Sequence, residues 1–381
     1  MIWKKNLDKK GFKDISSIGF AHIVGNAIST VFWLYIAKLV NVDDYGQLSY
    51  FIAIASFASS ICMWGSEKAV TVYTAKSVPI QSTVYFISTI TTIIGSLILF
   101  ILFSNVGISI FSLGYVFYNL ALAELIGRKL YKKYAKYFIV QKLCFIVFSI
   151  ILYYFIGLEG ILVGYGLSFF IFLRQIYISF KEVKVNFKLL KPRFGFISNN
   201  YLLDLIKASK GQIDKLIIGP LFTFTLLGNY SLGLQIVSIL SILPGIFFKY
   251  TLTEDSSGKS TRAVKLFSGI ISIILAIMGV FLAPNLVSSL FPEYKDSVDL
   301  IPVMSLSIIP GTISSNFISK FLGLEKSKFV VIGYVIYLSS IVSGIFIFSN
   351  YYGVVGLAIA YLLSSTAQAT YFLIFNHLWK K

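Results

Sequence analysis

Twelve stretches of about twenty mostly apolar residues follow one another along this chain, and that repetition decides the fold class before any motif is read. They run 15–40, 48–65, 82–103, 106–126, 137–156, 159–180, 195–219, 228–248, 264–290, 298–319, 328–349 and 353–377. In hydrocarbon the backbone must satisfy its own hydrogen bonds, so segments of this length and composition are helices. The chain is 57% hydrophobic and only 13% charged, against roughly 45–50% and 25% in a soluble domain. The expected fold is an all-α polytopic membrane protein. The first segment is too long for a signal-peptide core, and no small-residue cleavage pattern follows it, so it is expected to stay as a span.

The net charge of +17 would suit nucleic acid in a soluble protein, but its distribution here speaks of topology. Lysines and arginines gather before span one (Lys4, Lys5) and after the even-numbered spans, as in Lys68 and Lys76, Arg128 to Lys136, Lys181 to Arg193, Lys259 and Arg262, and Lys320 to Lys328. Lys380 and Lys381 follow span twelve. The odd loops hold Lys295 and are otherwise acidic, with Asp43, Asp44, Glu159 and Glu293. The positive-inside rule then puts both termini in the cytoplasm and requires an even number of crossings. The basic clusters are read as topology signals that touch anionic headgroups, not as a nucleic-acid site. Trp64, Tyr153, Tyr154, Tyr351, Tyr352 and Trp379 near span ends read as an aromatic belt.

Span seven departs from the others. It carries Asp204, Lys207, Lys210, Asp214 and Lys215, and an ionisable residue inside a span is a functional-site hypothesis by default. A surface placement of 195–215 would leave eleven crossings and flip every later basic loop outside, so the segment is expected to cross. At 100° per residue the five charges share an arc of roughly 140°. Asn200 falls in the same arc, as do the apolar Leu203 and Ile218. Asp204 and Lys207 stand i,i+3, and Lys210 and Asp214 stand i,i+4. Two arrangements follow. Either these pairs neutralise each other, leaving Lys215 over or satisfied by Glu124 in span four, or the span presents a net positive face to a wet lumen. Span one offers a weaker polar stripe, with His22 and Asn26 among small residues. For His22 a core role, hydrogen-bonded to a neighbouring helix, weighs equally with a functional one, and small residues in such stripes often serve close packing.

Spans one and seven each open a set of six. Gly46-Gln47-Leu48-Ser49 after the first matches Gly228-Asn229-Tyr230-Ser231 after the second. A parallel duplication of six-span units is a known transporter plan, and it divides the chain into an N-terminal lobe, 1–190, and a C-terminal lobe, 191–381. Several short motifs accompany it: Ala37-Lys38-Leu39 with Asp44-Tyr45-Gly46-Gln47, Asp214-Lys215-Leu216-Ile217-Ile218-Gly219, Leu290-Phe291-Pro292-Glu293-Tyr294 and Gly323-Leu324-Glu325-Lys326. In these, and in its twelve spans with short loops, the chain resembles the Wzx-type O-antigen flippases, polysaccharide biosynthesis proteins of the MOP exporter superfamily.

The resemblance covers essentially the whole chain. It implies two six-helix lobes around a central cavity lined by spans one and seven, in a bacterial inner (cytoplasmic) membrane. It implies export of an oligosaccharide on undecaprenyl pyrophosphate from the cytoplasmic to the periplasmic leaflet by alternating access, in an O-antigen or lipopolysaccharide pathway alongside other assembly proteins. A pyrophosphate suits lysines as point-charge partners. Substrate contact is therefore expected at Lys207, Lys210 and Lys215, with Asn200, His22 and Asn26 around them. Asp204, Asp214 and Glu124 are expected as charge partners or ion-coupling groups. A multidrug or cation antiporter of the same superfamily would have the same spans but favour an acidic cavity. A membrane O-antigen polymerase would need a large outer loop, and the outer loops here are short. No cofactor motif, nucleotide loop or metal-spaced His/Cys set occurs; His22 and His377 are the only histidines.

Overall fold

The computed structural model describes residues 9–256 and 260–378. Lys4, Lys5, Lys259, Trp379, Lys380 and Lys381, which enter the topology and belt readings, lie outside the described residues. Among the described residues all regular structure is helical. Nine stretches are long and apolar enough to cross a membrane. They include α1 (Lys9–Leu39), α2 (Val42–Met63), α4 (Gln81–Phe103), α5 (Val106–Gly127) and α6 (Tyr131–Ile156). Next come α7 (Leu158–Ser168) with α8 (Leu173–Glu182), joined by a tight 3-10 turn. The pair α10 (Phe224–Leu240) and α11 (Ile242–Ser256), bent by 53°, makes a tenth if it counts as one span.

Two helices stand apart from the rest. The last helix, α16 (Ser327–Leu378), has 52 residues, about 78 Å at 1.5 Å per residue and far more than a ~30 Å hydrocarbon core. Gly353 breaks it with φ 54° and ψ −128°, a conformation that only glycine adopts without strain. It is therefore two spans. The seventh segment forms α9 (Phe194–Leu221), 28 residues long; its charges, not its length, set it apart from the apolar nine. With α12 (Arg262–Phe281), α13 (Ala283–Leu290), and α14 (Lys295–Leu306) leading into α15 (Ile308–Gly323), all twelve segments expected as spans are helical. The turn after span two holds one more short helix, α3 (Ser66–Ala75).

The chain forms two compact units, Met1–Phe32 with Ile54–Ala208, and Trp33–Ala53 with Ser209–Lys381. Helices α1, α2 and α9 are each shared between them, so α9 gives its first half to one unit and its second half to the other.

In the first unit α5 runs close to α7. A Cβ on Gly114 would meet the Gly166 carbonyl oxygen at 2.6 Å, and one on Gly166 would meet the Phe111 nitrogen at the same distance. Small residues let two backbones approach this closely where lipid supplies no hydrophobic drive between helices. Near the end of α5, Glu124 is fully buried. It accepts from Tyr85 Oη at 2.7 Å and from Ser179 Oγ at 2.5 Å, and pairs with Arg128 at 2.6 Å. Arg128 also reaches Glu182 at 2.6 Å.

In the second unit the two glycine segments matched in the sequence meet. Asn41 caps α2 by accepting from the Asp44 N–H at 2.8 Å, and Thr223 caps α10 by accepting from the Leu226 N–H at 3.1 Å. The first turns of these two helices cross. The Phe224 carbonyl fills the place of a Cβ on Gly46, and the Val42 carbonyl fills the place of a Cβ on Gly228. The Thr225 hydroxyl adds a bond to Asp43 at 3.1 Å. Each glycine thus meets the carbonyl four residues before the other. The turn leaving α5 also reappears after α15. Lys129 (φ 58°) and Glu325 (φ 59°) take the left-handed region after the same pattern of closing backbone hydrogen bonds. A partly buried acid, Asp255, accepts from Lys265, Ser319 and Thr261, each at 2.5 Å.

Candidate functional site

The first half of α9 lines a cavity of about 360 Å³ in the first unit. Its walls carry Glu67, Lys68, Asn119, Tyr115, Asp204 and Lys207. The turn between α2 and α3 builds it. Trp64 (φ 51°) and Gly65 (φ 69°) are consecutive left-handed residues. A Cβ on Gly65 would meet the Ile197 carbonyl oxygen at 2.5 Å and the Tyr201 nitrogen at 2.9 Å. This bare backbone contact lays the start of α3 on α9 and turns Glu67 and Lys68 toward the α9 charges. Lys68 Nζ donates to Asp204 Oδ1 at 2.5 Å. Desolvation pushes the Glu67 carboxyl above the usual carboxylate range; Asp204 adds to that push, and Lys68 and Lys207 oppose it.

The second half of α9 lines a separate cavity of about 300 Å³ in the second unit. Lys210 Nζ donates to Gln368 Oε1 at 2.7 Å, and Gln368 Nε2 is itself held by the Gly333 carbonyl at 3.1 Å. The ammonium lies 4.2 Å from the centre of the Tyr337 ring and 5.2 Å from that of Tyr334, within cation–π range. Hydroxyl groups dominate the remaining polar wall, among them Ser241, Ser307, Thr312 and Ser365.

The other residues expected at the site lie elsewhere. Asp214 is buried, accepting from Tyr230 Oη at 2.8 Å and from the Lys215 N–H at 2.9 Å; neither it nor Lys215 lines a cavity described above. Asn200 turns its amide back on its own helix, donating to the Phe196 carbonyl at 2.8 Å. His22 Nε2 meets Tyr134 Oη at 2.9 Å and the ring rests on Phe138, with centroids 4.6 Å apart. Asn26 is exposed and lines neither cavity. Glu124 is engaged by Arg128, Tyr85, Ser179 and Gln175, and Lys215 is not among these partners.

Sequence reasoning divided the α9 lysines from the loop that completes their site. Lys68 was counted for topology alone, and Glu67 was passed over. The acid-base pair at the start of a helix directly after a Trp-Gly turn was the available signal. Tyr334 and Tyr337, spaced i,i+3 on one helix, and Gln368 inside a span marked the Lys210 cavity. No group of three or more metal-ligating side chains occurs among the described residues.

No family model and no curated protein matches the chain in sequence. Solved structures match along nearly all of it. The lipid II flippase MurJ in an inward closed conformation is similar with a TM-score of 0.73 at 16% identity, over 94% of this chain and 87% of that one. An inward-facing MATE multidrug resistance transporter of the MOP superfamily gives 0.70 at 12% identity, over 96% and 97%. MATE in complex with MaD5 gives 0.66 at 13% identity, over 96% and 95%. At such identities the likeness is one of architecture: the chain is a multi-pass membrane protein with the fold of MOP superfamily transporters.

Proposed function

We propose that this protein is a flippase that moves an anionic lipid-linked oligosaccharide, an O-antigen-type repeat unit on undecaprenyl pyrophosphate, from the cytoplasmic to the periplasmic leaflet of a bacterial inner membrane. Both termini face the cytoplasm, and two six-helix lobes, 1–190 and 191–381, work by alternating access. The observation that carries the reading is α9: a helix of spanning length whose lysines open into polar cavities. Lipid does not tolerate such charges without a purpose. Lys68 takes Asp204 at 2.5 Å, and the Lys207 ammonium in the same wall is the group offered to a phosphate. Lys215 adds long-range attraction. The likeness to a lipid II flippase supports a lipid-linked cargo. The test is assembly of the surface polysaccharide in cells that depend on this protein. Lys207→Ala with Lys210→Ala abolishes it if the reading holds; intact assembly puts the anion site elsewhere.

A second reading, export of organic cations, draws on the MATE neighbours and on Glu67 and Asp204 in the cavity wall. Efflux of a fluorescent lipophilic cation that depends on those two carboxylates would favour it.

A further inference from the structure

The two cavities along α9 differ in charge balance. The first sets two ammonium groups, Lys68 and Lys207, beside two carboxylates, Glu67 and Asp204. In the second, Lys210 is the one charged lining residue. Its ammonium has Gln368 Oε1 as acceptor, and among the described residues no carboxylate forms an ion pair with it. An ammonium in a membrane-spanning helix needs a partner. The two tyrosine faces supply only a weak part of that partnership.

The partner that completes this site is an anion entering the cavity. About 300 Å³ lies at the low end of small-molecule sites and limits the occupant to the size of a monosaccharide. Hydroxyls that both donate and accept line the rest. Tyr337 and Tyr361 offer flat apolar faces beside these groups. One uncompensated cation, several hydroxyls and aromatic faces together fit a polyol bearing a single negative charge.

We infer that the Lys210 cavity receives a carboxylate-bearing sugar of the transported glycan, with Lys210 on the carboxylate and the serine hydroxyls on the ring oxygens; the assignment to a glycan rests on the exporter reading above. The pyrophosphate of the same cargo is the other source of negative charge, and the test separates the two. Full-length protein in nanodiscs is titrated with glucuronate, galactose and inorganic pyrophosphate, with binding followed by saturation-transfer NMR. Glucuronate is expected to bind at least tenfold tighter than galactose and to keep its site when pyrophosphate is added. Lys210→Met weakens glucuronate at least tenfold. Gln368→Glu, which supplies an internal carboxylate without removing the lysine, does the same in a chain that keeps its fold. Equal binding of galactose and glucuronate, indifference to both substitutions, or displacement of glucuronate by pyrophosphate would each overturn the inference. Translocation of the lipid-linked glycan is measured in parallel. Lys210-dependent glucuronate binding without translocation sinks the exporter reading alone. Translocation without Lys210-dependent glucuronate binding sinks this inference alone.

Discussion

Replacing Glu124 by Gln should destabilise the first unit more than any other single loss of charge in its polar network. The carboxylate is fully buried. It takes three short charge-assisted contacts, from Tyr85 at 2.7 Å, Ser179 at 2.5 Å and Arg128 at 2.6 Å. A hydrogen bond to a charged group contributes about 1.5–3 kcal/mol, against about 0.5–1.5 kcal/mol between neutral groups. The amide keeps the shape but converts all three contacts to weaker ones, and turns an N–H₂ toward donors that need an acceptor. Arg128 is one-quarter exposed and retains Glu182, which discounts its share. The expected cost is roughly 2–4 kcal/mol. Glu182→Gln is the contrast. That carboxylate is 46% exposed, and such a surface pair is worth about 0–1 kcal/mol. Thermal unfolding in nanodiscs at one scan rate should rank wild type and Glu182→Gln together and Glu124→Gln several degrees below. Arg128→Gln added to Glu124→Gln should cost less than it does alone, because the two share one interaction. Equal melting of Glu124→Gln and Glu182→Gln would refute the claim that Glu124 holds this network together.

Other consequences follow from single contacts. Gly46→Ala and Gly228→Ala each push a methyl onto a facing carbonyl, so each should destabilise the second unit by about 1–3 kcal/mol; unchanged melting would contradict the close α2–α10 crossing. Gly65→Ala places a side chain at φ 69° against the backbone of Ile197 and Tyr201. It should cost at least ~1–2 kcal/mol and abolish efficient cross-linking between cysteines placed at 68 and 204. Tyr230→Phe removes the one side-chain hydroxyl donating to buried Asp214 and should cost about 1–3 kcal/mol, read as a lower melting temperature at neutral pH. Glu67 binds its proton more tightly in the folded protein than in the unfolded chain. Its contribution is therefore fully present below the ordinary carboxylate range and is lost as pH rises through the raised folded value. Glu67→Gln should remove that part of the pH dependence of melting just above the ordinary range. The effect is damped because the side chain is exposed to the cavity, and identical pH profiles for the two proteins would contradict it.

The helices were legible because hydrocarbon demands long apolar runs. Even the break in α16 was expected, since 328–349 and 353–377 were separate runs meeting near Gly353. Gly46 and Gly228 stood out as matched positions, although why glycine is needed there emerged only from the facing carbonyls. The sites were legible in part. A lysine inside a span announces itself, but its partners do not. Gln368 stands 158 residues from Lys210 and Asp204 stands 136 residues from Lys68, and no local pattern encodes such pairs. The i,i+3 and i,i+4 spacings within α9 drew attention to pairs on one helix. Asp204 instead bonds to a lysine brought in by α3, and Asp214 to the hydroxyl of Tyr230.

The central claim is that the α9 lysines serve the movement of an anionic lipid-linked glycan. The direct measurement uses proteoliposomes holding the purified protein and a labelled undecaprenyl-pyrophosphate oligosaccharide, with the outer-leaflet fraction read by an impermeant glycosidase over time. The account predicts rapid exposure of the inner pool with wild-type protein, and exposure at the protein-free rate with Lys207→Ala and Lys210→Ala combined. Wild-type protein that leaves the inner pool protected, or a double variant that exposes it as fast as wild type, would contradict it.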